Sequence, residues 1–226
     1  MISIIIPVLN EEKRLANLLR ELKQLDDRVP FEIIVVDGGS QDQTVEVAKK
    51  FVTVYQVKQA NRGGQLKFGV EKSSGDILWF LHSDSVIKDY QQALSQIQKA
   101  VDNPCYSAGY FKLAFDSSEF FFRYLAKTSN LRAEYLGLIF GDQGLFTTRK
   151  QYDQAGGFET IPLMEDWRLS RKLRKQGKFC PLSLTITTSS RRFRKGKIRT
   201  HLKMHRIKLL YLLGVSPDKL AKRYYK

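Results

Sequence analysis

The first 81 residues alternate between apolar runs of strand length and segments with helical periodicity, and this alternation constrains the fold more than any other feature. The apolar runs lie at residues 2–8, 31–36, 52–57 and 77–81. Leucines after the first run recur at three- and four-residue intervals, as they do on one face of a helix. Apolar strands separated by amphipathic helices are typical of a parallel sheet covered on both faces. The predicted fold is therefore α/β, with a Rossmann-like, mostly parallel sheet flanked by helices.

The second half of the chain has a different pattern. Residues 106–115 are predicted to be extended, residues 119–138 helical and residues 145–148 a further strand. Asn10, directly after the first apolar run, is predicted to cap the first helix. No repeat or flexible linker divides this part of the chain, so residues 1–190 are predicted to form one domain.

The basic residues concentrate in the last 36 residues. The formal net charge is +15, and thirteen Lys or Arg against one Asp after position 190 supply +12 of it. Apolar side chains interleave with these cations: Ile198, Leu202, Ile207, Leu209, Leu210, Leu212 and Leu213. Residues 191–226 are therefore predicted to be a basic amphipathic helical tail that attaches peripherally to an anionic membrane surface. The alternative is that the leucines pack back onto the domain and the charges are only solvated.

Several classes of protein are excluded by the composition. Cys105 and Cys180 are too far apart in sequence to form a C-x-x-C metal or redox motif, which favours reduced thiols. The apolar N-terminus lacks a basic flank and is interrupted by Pro7, unlike a signal peptide. No run approaches the length of a membrane-spanning helix. We expect a cytoplasmic protein, located at the inner face of the membrane if the tail attaches there.

Polar clusters follow three of the predicted strands, at residues 7–12, 37–40 and 82–85. The carboxyl ends of parallel strands share one edge of a sheet, and ligands bind at that edge. Neither the glycine pattern of dinucleotide-binding proteins nor that of phosphate-binding P-loops is present. The three polar clusters would form an acidic rim along that edge. Such a rim suits a divalent metal that holds a diphosphate, and Asp84 is the best candidate for a metal ligand.

Five segments in this order resemble the motifs of family 2 glycosyltransferases, which have the GT-A fold. The segments are residues 3–12 (SIIIPVLNEE), 34–44 (IVVDGGSQDQT), 75–84 (GDILWFLHSD), 141–144 (GDQG) and 164–169 (MEDWRL). The resemblance implies a nucleotide-sugar donor, with UDP as the preferred guess, and inverting transfer to an acceptor hydroxyl. The acceptor is unknown, and a lipid-linked one is an option.

The resemblance also implies roles for single residues. Pro7 and Glu11 would line the nucleoside pocket, and Asp37 would hydrogen-bond the base. Asp84 would hold Mn²⁺ or Mg²⁺, whose charge stabilises the leaving diphosphate. Asp166, next to Glu165, would act as the general base.

The metal motif departs from the family pattern. The family usually has Asp-x-Asp, whereas this chain has His82-Ser83-Asp84. His82 and Ser83 are expected on the donor side. Either His82 contacts the ribose or the metal, or the replacement of the first Asp by His reduces the metal affinity. Arg62 is predicted to reach a phosphate, the alternative being a solvated loop charge.

Other assignments carry a plainer alternative. Asp142 and Gln143 are placed with the acceptor, although Gly141 to Gly144 also suits a simple turn. Arg191 and Arg192 are either diphosphate ligands or, by preference, plain basic surface. A catalytically silent scaffold and a nucleic-acid-binding module are the rival functions. The complete set of acids at 37, 84 and 166 argues against both, so no nucleic-acid partner is expected.

Overall fold

A computed structural model describes residues 1–57, 61–194 and 196–224. The strands are β1 Ile2–Val8, β2 Phe31–Asp37, β3 Val54–Gln56, β4 Ile77–Phe80, β5 Val86–Ile87, β6 Tyr106–Phe115, β7 Phe146–Thr148 and β8 Lys178–Thr188. The helices are α1 Glu12–Leu22, α2 Thr44–Lys49, α3 Arg62–Lys72, α4 Tyr90–Val101, α5 Phe120–Leu136, α6 Arg149–Gln154, α7 Glu165–Arg174, α8 Lys197–Leu212 and α9 Pro217–Tyr224. Short 3₁₀ turns lie at Gly141–Gln143 and Ser190–Phe193.

The strands form one sheet in the order β3-β2-β1-β4-β7-β6-β8-β5. The four strands of the first half pair in parallel, which confirms the predicted α/β class and the parallel half of the sheet. β7 runs antiparallel to both β4 and β6, and β5 runs antiparallel to β8. The complete sheet is therefore mixed, although β6 and β8 again pair in parallel.

The core lies on both faces of the sheet, as the continuous apolar strands require. Alternate side chains of β1 point to opposite faces. Ile4 and Ile6 join one cluster with α1 and α4, whereas Ile5 joins the other with α3 and α7. All three side chains are fully buried, and each such burial stabilises the fold by about 1.5–3 kcal/mol.

Asn10 does not cap α1, contrary to the sequence-based expectation. The helix begins at Glu12, and no side chain caps its N-terminus. Asn10 instead adopts a positive φ of 55°, its backbone N–H donates to Ser40 Oγ at 2.9 Å, and its Oδ1 accepts from the backbone of Gln41 at 2.8 Å. The residue thus ties the loop after β1 to the loop after β2.

The apolar side chains of the C-terminal helices divide into a buried set and an exposed set, and membrane attachment stays a prediction. Ile207, Leu220 and Ala221 are buried in a cluster with Leu138, Leu163, Met164 and Trp167. Other apolar side chains of this segment are mostly exposed: Ile198, Leu202, Leu209, Leu212 and Leu213. None of the helices in the described ranges is long and apolar enough to cross a membrane.

Candidate active site

The loops after β1, β2 and β4, which carry most of the predicted donor residues, lie together because these strands are neighbours in the sheet. The backbone of Gly38, after β2, donates to Val8 of β1 at 2.9 Å, so the two loops leave the sheet side by side. Leu81, after β4, donates to Ile5 at 3.0 Å on the other side of β1. Pro7 pairs with Val36 in the same register. The rim predicted from the sequence is thus present in the fold.

Asp37 is fully buried and holds the turn after β2. Its carboxylate accepts hydrogen bonds from the backbone of Gly39 at 3.0 Å and of Ser40 at 3.1 Å. The Gln56 amide approaches Oδ2 at 3.4 Å. These bonds give Asp37 the turn-forming role, and its contact with a nucleotide base stays a prediction.

Glu11 and Asp84 converge on one guanidinium group, that of Arg191. Both oxygens of Glu11 accept from Arg191, one of them at 3.1 Å, and Asp84 Oδ2 lies 3.4 Å from Arg191 Nη2. Arg14 adds a longer ion pair to Glu11 at 3.6 Å. Arg191 therefore occupies the rim and is not the plain basic surface that the sequence favoured.

The environment of Asp84 is tuned by burial and by its charged neighbours. Burial raises the pKa of Asp84 above its usual range, Arg191 lowers it, and the carboxylate of Glu11 raises it again. In the part of the chain that the structure describes, no three His, Cys, Asp or Glu side chains are grouped as metal ligands. Mg²⁺ and similar ions are commonly held by one or two carboxylates together with substrate phosphates. Glu11 and Asp84 fit a site of this kind, in which two carboxylates and the phosphates of a substrate share the metal.

His82 faces the turn at Gly141 and not the open rim. A Cβ added to Gly141 would lie 2.4 Å from His82 Nε2, so only glycine allows this approach. Burial lowers the pKa of His82 to about 3, and Arg62 and Arg192 act in the same direction. The imidazole is therefore neutral at physiological pH. Ser83, the next residue, is buried beside it.

Glu165 and Asp166 open α7 directly after Met164, which has a positive φ of 69°. The guanidinium of Arg62 binds Glu165 and lies 3.3 Å from Asp166 Oδ2. Burial raises the pKa of Glu165, and the charge of Asp166 adds to that effect. Asp166 also accepts from the Gly141 backbone at 3.0 Å. Arg62 is thus engaged with the acidic pair, and its contact with a phosphate stays a prediction.

The turn at Gly141–Gln143 separates its two predicted acceptor residues. Gln143 is fully buried, and its amide oxygen accepts from Arg132 at 2.7 Å. Asp142 keeps one buried carboxylate oxygen without a hydrogen-bond partner among the described residues. Contact of either residue with an acceptor stays a prediction, although Gln143 is placed to position Arg132.

Two cations near this turn were missed by the sequence analysis. Arg132 Cζ lies 3.7 Å from the centre of the Phe140 ring, and Lys208 Nζ lies 4.9 Å from it. Arg132 belongs to α5 and Lys208 to α8, two helices that the sequence marks only as aromatic and basic. No local motif distinguishes these cations from solvated ones.

Solved structures with the same fold support the GT-A assignment. A mannosyltransferase, PcManGT from Pyrobaculum calidifontis, solved with GDP-Man and Mn²⁺, matches with a TM-score of 0.70 and 16% identity over 99% of this chain and 68% of its own. TarS from Staphylococcus aureus, solved with UDP-GlcNAc, matches with a TM-score of 0.65 and 19% identity, covering 84% of this chain and 58% of its own.

Sequence relatives point to the same family. The human dolichyl-phosphate beta-glucosyltransferase is 34% identical over an alignment of 103 residues that covers 38% of this chain and 32% of that protein. The chain spans about a third of the length of the first curated relatives that it matches. The family model for glycosyl transferase family 2 matches residues 3–162, which include the rim at Glu11, Asp37 and Asp84 and end before Asp166. The chain belongs to glycosyl transferase family 2.

Proposed function

We propose that this chain transfers a sugar from a nucleotide-diphosphate donor, UDP-linked by preference, to an acceptor hydroxyl. The observation that carries the proposal is the position of two pairs of acidic side chains near one edge of the sheet: Glu11 with Asp84, and Glu165 with Asp166. Glu11 and Asp84 lie on the donor side, and Asp166 is connected to that side through the turn at Gly141, which His82 contacts. A glycosyl transfer needs stabilisation of a leaving diphosphate and activation of an acceptor, and the two groups suit these tasks.

The donor side is suited to a diphosphate because a cation lies between its carboxylates. In the free protein Arg191 pairs with Glu11 and Asp84. We infer that Arg191 turns to the diphosphate when the donor binds, which releases the two carboxylates. Asp84, with Glu11 beside it, would then hold Mn²⁺ or Mg²⁺ together with phosphate oxygens. The metal would supply positive charge for the departing diphosphate.

On the acceptor side, Asp166 takes the proton of the attacking hydroxyl. The acceptor oxygen forms the new bond to the anomeric carbon while the bond to the diphosphate breaks, and the electron pair leaves with the diphosphate. Direct displacement of this kind inverts the anomeric configuration. Asp166 suits the role better than Glu165, since Glu165 is 1% exposed and Asp166 is 9% exposed. Glu165 holds Arg62 in place.

The proposal is tested by calorimetric titration with UDP-, GDP- and dTDP-sugars, each with and without Mn²⁺. The solved relatives carry both UDP-GlcNAc and GDP-Man, so the panel must include both nucleotides. We expect one donor class to bind, and Mn²⁺ to tighten its binding. A folded protein that binds no donor would favour the silent scaffold or the nucleic-acid-binding module instead.

Arg191→Gln is expected to weaken donor binding by about 10- to 100-fold, because hydrogen bonds to charged groups contribute about 1.5–3 kcal/mol. Calorimetry with the preferred donor measures the effect. Arg194→Gln is the matched control, since Arg194 is an exposed cation three residues further along the chain. Equal losses in the two variants would mean that only net charge matters, and Arg191 would lose its proposed role.

We also propose that the face formed by α5 and α8 attaches the protein to an anionic membrane surface. The two helices are neighbours, since the rings of Phe121 and His201 lie 5.8 Å apart and Lys197 pairs with Glu119. Exposed apolar side chains recur on α5 at Phe120, Tyr124, Leu131, Tyr135 and Leu136, and on α8 and just after it at Ile198, Leu202, Leu209, Leu212 and Leu213. Interfacial helices combine such stripes with basic residues, as α8 does. A relative named for dolichyl phosphate is consistent with a lipid-linked acceptor.

The double variant Leu202→Ser, Leu209→Ser is expected to reduce partitioning onto anionic vesicles by about tenfold or more, since each leucine loses apolar burial in the acyl region. Vesicle flotation measures the bound fraction. Both leucines are more than half exposed, so the fold should tolerate the change. Val86→Ser removes an equally exposed apolar side chain from β5 and serves as the control. Equal flotation of all three proteins would refute membrane attachment through α8.

A further inference from the structure

Two cations share one aromatic ring beside the proposed acceptor site. Arg132 stacks on Phe140 at 3.7 Å, and Lys208 approaches the same ring at 4.9 Å. Phe140 is itself held against Trp167, with ring centres 5.8 Å apart and nearly parallel planes. The cations come from α5 and α8, which are distant in sequence. Their juxtaposition is therefore produced by the packing of the C-terminal helices onto the domain.

Neither cation is neutralised by a direct partner. Within residues 1–57, 61–194 and 196–224, Arg132 and Lys208 form no ion pair within 4.0 Å. Arg132 donates to uncharged acceptors instead, the Leu138 carbonyl at 3.0 Å and the Gln143 amide oxygen at 2.7 Å. Burial and the nearby charge of Arg132 together lower the pKa of Lys208 to about 8, against the opposite effect of Asp142 and Asp166. Holding two like charges in a partly desolvated place is unfavourable unless an anion joins them.

Among the described residues, the nearby carboxylates act on the two cations without forming an ion pair with either of them. Arg62 is paired with Glu165 and Asp166, so these acids already have a cation. Asp142 is the other carboxylate whose charge acts on Arg132 and Lys208, and its Oδ1 has no partner in the described part of the chain. In formal charge the three cations described in this region equal its three carboxylates, so Arg132 and Lys208 lack ion pairs of their own but are not in excess.

We propose that Arg132 and Lys208 bind a phosphate-class anion carried by the acceptor and so select acceptors with a phosphate group near the attacking oxygen. The inference rests on the proposed function, because it uses Asp166 to define the acceptor side. A fork-shaped guanidinium next to an ammonium is well suited to the oxygens of a phosphate. The two side chains are specificity-determining residues in this account, and Gln143 holds the guanidinium in position.

The test is calorimetric titration of the full chain with phenyl phosphate, phenol and inorganic phosphate, each in saturating UDP so that the donor site is blocked. Lys208→Gln is the main variant, since Arg132 also supports Leu138 and Gln143. Arg206→Gln is the control, an exposed cation on the same helix. We expect phenyl phosphate to bind the wild type, Lys208→Gln to weaken it about tenfold or more, and Arg206→Gln to leave it within twofold. Lys208→Arg should restore most of the affinity.

The other outcomes separate the possible explanations. Equal affinity for phenol and phenyl phosphate, or equal losses in Lys208→Gln and Arg206→Gln, would overturn the anion site. Inorganic phosphate binding as tightly as phenyl phosphate would identify a free-phosphate site and overturn the acceptor claim. UDP binding without phenyl phosphate binding would refute this inference alone. Lys208-dependent phosphate binding without binding of UDP, GDP or dTDP would uphold the anion site and refute the proposed function.

Discussion

Asp166→Asn is expected to lower the turnover number for transfer by about 10²- to 10⁴-fold, the usual contribution of a positioned general base. An amide keeps the size of the side chain and can still accept from the Gly141 backbone, but it cannot take the proton of the acceptor. Steady-state kinetics at saturating donor and acceptor measure the effect. Donor affinity should change far less, because Asp166 is not among the groups that we propose to contact the diphosphate.

Asp153→Asn is the matched control for this prediction, since Asp153 is an exposed acid on α6. It should retain wild-type turnover. If Asp166→Asn retained more than about a third of the wild-type turnover, a general-base contribution of the expected size would be ruled out. The acidic pair would then have a structural role, holding Arg62 at the start of α3.

Asp84→Asn is expected to reduce kcat/KM by at least about 10²-fold and to abolish the dependence of donor binding on Mn²⁺. The physical reason is that a neutral amide is a poor ligand for a hard cation, and the metal's charge contributes several kcal/mol to stabilising the leaving group. Kinetics and donor titrations with and without Mn²⁺ measure both effects. Wild-type activity in the variant, with an unchanged response to Mn²⁺, would remove Asp84 from the metal site.

The same variant should not be less stable than the wild type. Burial raises the folded-state pKa of Asp84, so ionising this side chain at neutral pH opposes folding. The amide removes that unfavourable charge, and Arg191 keeps its bond to Glu11. Thermal unfolding at pH 7 is therefore expected at the wild-type temperature or above it. A large drop in the unfolding temperature would mean that lost activity reflects a damaged fold.

The first half of the fold was predictable because its signals are local. The strands β1, β2 and β3 are apolar runs, each followed by a helix with leucines or valines on one face, and β4 is a further apolar run. The order of β6, β7 and β8 depends on pairing between distant segments, such as Gly109 with Phe146, and no local pattern encodes it. Asn10 was misassigned since its loop-bridging bonds involve residues 30 positions away.

The residues of the candidate site also divide into those that local sequence patterns predict and those that they do not. Glu11, Asp37 and Asp84 follow strands that the pattern identifies, so their shared rim could be deduced from the sequence. Arg191 reaches Glu11 across 180 residues, and its place at the rim depends on how the 3₁₀ turn after β8 folds back. Arg132 and Lys208 resemble solvated helix charges in sequence. Only the packing of α8 near Phe140 distinguishes them.

The central claim is that the rim binds and cleaves a nucleotide-sugar. Its most direct test measures release of nucleoside diphosphate from a panel of UDP-, GDP- and dTDP-sugars in Mn²⁺, with the wild type and Asp84→Asn assayed side by side. The account predicts cleavage of one donor class by the wild type and a loss of about 10²-fold or more in the variant. Cleavage of none of the donors by a folded wild type, or equal cleavage by both proteins, would contradict it.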